Sequence, residues 1–155
     1  MTPETTWIGL LLLLVFIGPI IYLLFRQKIN HRNHLKVLKN LCDVNNILPD
    51  FNEISGAYLI GLDSRERKLI YLRAGEQENY KLIDLNEYAS CKIGSTKISE
   101  TEAENVWLKL NNKSQHQLPM EIIFYDNDRD MHLDSDVQYV LAQKWQAIIR
   151  QNLTK

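Results

Sequence analysis

A run of 19 residues without a charge, Trp7 to Phe25, constrains this chain more than any other feature. It has no polar face at any period, which excludes an amphipathic surface helix. At about 1.5 Å per residue such a helix reaches roughly 28 Å, against a hydrocarbon core of about 30 Å. The flanks are not those of a cleaved signal. Residues 1–6 carry only the acidic Glu4, and the run ends in Tyr22-Leu-Leu-Phe-Arg26 instead of at small residues. Trp7 and Tyr22 stand near its two ends, where amphipathic rings favour the interface. Gly18-Pro19 marks a kink, tolerated in a spanning helix where neighbours repair the lost backbone bond. The reading is one transmembrane helix over residues 7–25.

Charge sets the expected orientation. Arg26, Lys28, Arg32, Lys36 and Lys39 follow the run with no acid before Asp43. By the positive-inside rule, residues 1–6 lie outside and everything after the helix is cytoplasmic. The formal net charge of −1 hides this segregation: residues 26–42 hold five of the 18 basic side chains, and all 19 acids except Glu4 come later. A net-acidic domain is a poor nucleic-acid binder, since neutralising phosphates takes clustered Lys and Arg. The same five basic residues form a collar with two readings, a topology signal alone or a contact with anionic lipid headgroups.

Residues 26–42 read as a basic juxtamembrane helix. Leu35, Leu38, Leu41 and Cys42 share one face of it. His31, Leu35, Leu38 and Cys42 are spaced 4, 3, 4, the seam of a coiled coil, although two heptads are too few to specify one. Residues 43–53, with Asn45-Asn46 and Pro49-Asp50, read as a linker, and a single domain follows over 54–155. Cys42 and Cys91 are far apart in the chain and read as free thiols.

Strand patterns then succeed one another at 57–63, 68–73, 80–85, 88–93, 106–110 and 121–125, with the third and fourth either separate or one bent strand. Their connections are too short for crossover helices, so antiparallel pairing is expected. Over Asp134–Asn152 the residues Val137, Val140, Leu141, Trp145, Ile148, Ile149 and Asn152 recur at 3 and 4, an amphipathic helix centred on Trp145. Ser135 and Gln138 have the capping-box spacing at its start. The fold class expected is α+β: a transmembrane helix, then an antiparallel meander of five to six strands packed by one C-terminal helix.

The segments Ile60-Gly-Leu-Asp63, Leu69-Ile-Tyr-Leu72, Ile83 to Ile93, Phe124-Tyr125 and Leu141-Ala-Gln-Lys-Trp145 are similar to those of a family of uncharacterised bacterial single-pass membrane proteins. The resemblance covers residues 1 to about 153 and implies an inner-membrane protein; it carries no catalytic residue. The order of strands and helix also resembles a pleckstrin-homology-like domain. That fold uses seven strands, where five or six are legible here.

The acidic run Asp126-Asn-Asp-Arg-Asp-Met-His-Leu-Asp134 places acids at positions 1, 3, 5 and 9 of a calcium loop. It has Met131 where that loop needs Gly and Val137 where it needs Glu, so a solvated loop leading to the helix cap is the better reading. His31 and His34 have metal spacing without an acid or thiol nearby, and His116 and His132 are isolated. Ser55 lacks the glycine frame of a nucleophile elbow. Trp107, Trp145, Tyr71, Phe124 and Tyr125 occupy apolar positions and read as core. No catalytic residue, metal or cofactor is expected. The function these patterns favour is a non-catalytic membrane-anchored module that binds a protein partner or a lipid headgroup. The rival is an accessory or sensor subunit of a larger membrane complex.

Overall fold

A computed structural model describes residues 15, 17–19, 21–22, 33–76, 79–97, 103–114 and 117–153. Two compact units divide the chain, Met1–Lys36 and Val37–Lys155. In the first, residues 15, 17–19, 21 and 22 are helical, and the rest of the apolar run lies outside the described residues. Among the described residues, no helix is long and apolar enough to cross a membrane.

The second unit is an α+β fold, with seven strands among the described residues. β1 (Phe51–Ile54), β2 (Tyr58–Asp63), β3 (Lys68–Arg73) and β4 (Lys81–Asp84) form one antiparallel sheet in chain order. β5 (Tyr88–Lys97), β6 (Ala103–Asn112) and β7 (Met120–Asp126) form a second. Helical residues 33–44 (α1) precede the first sheet; a single turn, α2 (Asn127–Asp130), and the long α3 (Ser135–Asn152) follow the second.

β2 and β3 read as near-continuous apolar runs because both of their faces are covered. Tyr58, Ile60, Leu62, Leu69 and Tyr71 point into a large core shared with Val106, Leu108, Ile122, Phe124, Ala142, Trp145 and Ile149. The alternate residues Leu59, Ile70 and Leu72 meet a smaller cluster made with Leu38, Cys42 and Ile47. A period of two therefore sorts one hairpin into two cores.

Local chemistry explains how α1 reaches that second core. Asn46 takes φ 53°, a left-handed position that Asn tolerates, and Ile47 N–H donates back to the Cys42 carbonyl at 2.9 Å. This Schellman-type stop turns Ile47 inward to 1% exposure. A Cβ on Gly61 would stand 3.4 Å from Pro49 and 3.7 Å from Leu38, so the absence of a side chain there lets this layer approach β2.

Several expectations are corrected. The stretch read as a linker carries β1 and the buried Ile47. Of the coiled-coil seam, Leu38 and Cys42 are buried within the chain, 3% and 2% exposed, whereas Leu35 is exposed and His31 lies outside the described residues. The third and fourth strand patterns are two strands separated by a 3₁₀ turn, Leu85–Glu87, which Asp84 caps and where Leu85 is buried. β5 and β6 run through polar residues read as loop, because the two strands complete each other's ladder from Tyr88 to Lys97. α3 begins at Ser135 with Asp134 as its cap, accepting from Asp136 and Val137 N–H. Gln138 is buried instead of closing a capping box, and its Oε1 accepts from the Ser55 hydroxyl at 3.3 Å. The inward stripe is Gln138, Ala142, Trp145 and Ile149, whereas Val137 and Val140 are exposed.

Candidate functional site

Of the five collar residues, Arg26, Lys28 and Arg32 lie outside the described residues. Lys36 and Lys39 are exposed on α1, which turns Leu38 and Cys42 into the fold. The helix can place these lysines in solvent because its other face is spent on packing.

The acidic run is mostly consumed by local structure. Asp126 caps α2 by accepting from Asp128 N–H. Asp130 is buried, accepts from Arg73 Nη2 at 2.8 Å and from Asp126 N–H at 3.1 Å, and so ties α2 to β3. Asp126 lies 3.6 Å from the same guanidinium. With Asp134 on the α3 cap, three carboxylates of the proposed loop are engaged, so it is not simply a solvated connection. Among the described residues no group of three or more His, Cys, Asp or Glu is placed to hold a metal ion. His31 and His116 lie outside the described residues; His34 is half-buried and His132 exposed. Burial pushes the Cys91 thiol up to about 12, offset slightly by Arg150, and pushes Cys42 up as well, helped by Asp43. Both thiols are buried, the setting in which a structural cysteine is inert.

Two of the surface clefts are lined entirely by described residues. One, of about 270 Å³, is lined by Leu48, Pro49, Asp50, Asp63 and Arg65. Its carboxylates hold turns together: Asp63 accepts from the N–H groups of Leu48, Arg65 and Glu66, and Asp50 accepts from Ser64 N–H and Oγ. The other, of about 260 Å³, lies on the outer face of the second sheet between Thr96, Asn105, Trp107, Glu121 and Ile123. Trp107 is thus not core. Val106, Leu108 and Leu110 take the inward positions of β6, and their alternation with Trp107 and Lys109 was the signal for this in the sequence. A Cβ on Gly94, opposite Trp107, would stand 2.5 Å from the indole Cε2, so the ring lies across the backbone of β5.

The chain matches no protein-family model, no curated protein and no solved structure. What it can do therefore rests on its own residues. Among those described, surface features with no evident structural use include the exposed lysines of α1 and the charged aromatic face around Trp107.

Proposed function

We propose that this protein is a non-catalytic interaction module, anchored in the inner membrane by residues 7–25 with its folded unit in the cytoplasm, where it binds a lipid headgroup or a protein partner. One observation carries the reading. The compact unit begins at Val37, inside the basic collar that follows the apolar run, so only residues 26–36 separate a membrane-length segment from a fold. A collar that supplies the first helix of the domain keeps its exposed Lys36 and Lys39 close to the membrane-length segment in the chain. The resemblance to a pleckstrin-homology-like domain belongs to the same proposal, supported by seven strands arranged four and three with a helix after them.

The test is topological. A reporter fused after Lys155 is expected to behave as cytoplasmic, and neutralising Arg26, Lys28, Arg32, Lys36 and Lys39 together is expected to mix the orientations. A reporter active only on the far side of the membrane overturns the proposal. The accessory-subunit reading draws on Gly18, helical and with nothing within 4 Å of its missing Cβ, a place where a second helix can approach. Recovery of a fixed membrane-protein partner from mild detergent, lost on Gly18→Leu, would favour it.

A further inference from the structure

The outer face of the second sheet sorts its charges by row. Lys92, Lys109 and Glu121 lie opposite one another across β5, β6 and β7. The next row is Gly94, Trp107 and Ile123, and Thr96 and Asn105 follow. Like charges directly opposite in a ladder repel. Among the described residues neither lysine has an ion-pair partner, and Glu121 makes none with Lys109 although the two are paired in register. These two adjacent cations and one anion thus stand without an ion pair beside a half-exposed indole, with the Lys81 ammonium bound to the Glu121 carbonyl at 3.1 Å.

We infer that this face seats the zwitterionic headgroup of a membrane phospholipid, its phosphate between Lys92 and Lys109 and its ammonium on Trp107 and Glu121. A phosphate between the lysines replaces their repulsion with two charge-assisted contacts. An ammonium is attracted by the face of an indole and by the neighbouring carboxylate. A simple anion would meet Glu121, and a simple cation would meet both lysines; a ligand with both charges avoids each penalty. Successive rows stand about 7 Å apart along a strand, a separation that lysine side chains and a headgroup span together. The indole is already fixed against Gly94, so little ordering is left for binding to impose. Ile123, 36% exposed, supplies an apolar wall for methylenes. The cleft of about 260 Å³ holds Trp107 and Glu121 but not the lysines, so it takes the ammonium end of the headgroup, with the phosphate outside it on the row of Lys92 and Lys109. That the ligand is a lipid, and not a free phosphoamine, rests on the membrane-anchored reading.

The experiment follows the indole N–H signals of the full chain in neutral detergent by nuclear magnetic resonance. The probes are glycerophosphoethanolamine, glycerol phosphate and ethanolamine. The Trp107 signal, assigned by Trp107→Phe, is expected to shift saturably with the first and about tenfold more weakly with either half. Glu121→Gln should abolish the preference over glycerol phosphate, and Lys92→Gln with Lys109→Gln the preference over ethanolamine. Gly94→Ala should displace the ring and weaken binding while the Trp145 signal, a monitor of the core, stays in place. Equal responses to all three probes, or a Trp107 signal that never moves, overturn the site. Nanodiscs of phosphatidylethanolamine should shift the same signal; a response to the soluble probe alone overturns the lipid as its source. A reporter on the far side of the membrane with Trp107 still responding would remove the anchoring proposal and leave the headgroup chemistry standing.

Discussion

At the scale of single residues, two buried aromatics give opposite expectations. Trp145 is 1% exposed at the centre of the large core, and truncation to Ala should cost about 3–5 kcal/mol. Lys144 beside it makes a surface ion pair with Glu53, worth about 0–1 kcal/mol, so Lys144→Ala should barely move the melting temperature. Tyr58 is fully buried against Phe124, ring centroids 4.6 Å apart, and its hydroxyl has no hydrogen-bond partner among the described residues. Removing an unsatisfied polar atom relieves a desolvation cost, so Tyr58→Phe should melt at or above the parent. Thermal denaturation of the three variants checks all of this, and a Tyr58→Phe protein that melts early would mean the hydroxyl is bonded. Asp63 sets a pH dependence. Burial would raise its carboxyl, but the N–H groups of Leu48, Glu66 and Arg65 overcome this and hold it below the usual 3.8. A depressed folded value means that this stabilisation is complete above 3.8 and fades as pH falls through the lower one. Asp63→Asn should therefore lower stability at neutral pH and flatten its loss on acidification, read by denaturant titration at several pH values.

Among the elements, those legible in the sequence were the ones with strong period. The β2 and β3 runs and α3 were all found, because their apolar spacing is dense. β1 was not, since Phe51-Asn-Glu-Ile54 has only two apolar residues behind Pro49-Asp50, and its strand character comes from pairing with β2. Burial on a second face of the first sheet was hidden for a related reason: Leu38 and Cys42 look the same whether they meet another chain or their own sheet. Trp107 was read as core although its alternation with Val106 and Leu108 puts it on the outer face, and the row of charges beside it required the register of three strands. These points change what a soluble fragment must contain. A fragment of residues 43–155 leaves Leu59, Ile70 and Leu72 without Leu38 and Cys42 over them, whereas 33–155 keeps the layer. The shorter fragment is expected to aggregate or melt well below the longer one, as light scattering and calorimetry would show. Equal behaviour of the two would mean that α1 contributes little to stability.

For the whole molecule, the proposed placement at a membrane makes a prediction about salt. A peptide of residues 26–42 should bind acidic vesicles, with affinity falling as ionic strength rises, because screening shortens to about 10 Å at 0.1 M. Equal binding to neutral vesicles would reduce the collar to a topology signal. The two cores of the first sheet also differ in when they can close during synthesis. Every buried residue of the smaller cluster has been made once Leu72 has emerged, since its members run from Leu38 to Leu72. The larger one needs Ala142, Trp145 and Ile149, which emerge long after the strands they cover. A ribosome paused before Ser135 would therefore display a complete smaller cluster and a second sheet still without its helix. The open surface is the inner face of β5, β6 and β7, the strands α3 packs against, and it is the surface a chaperone would meet first.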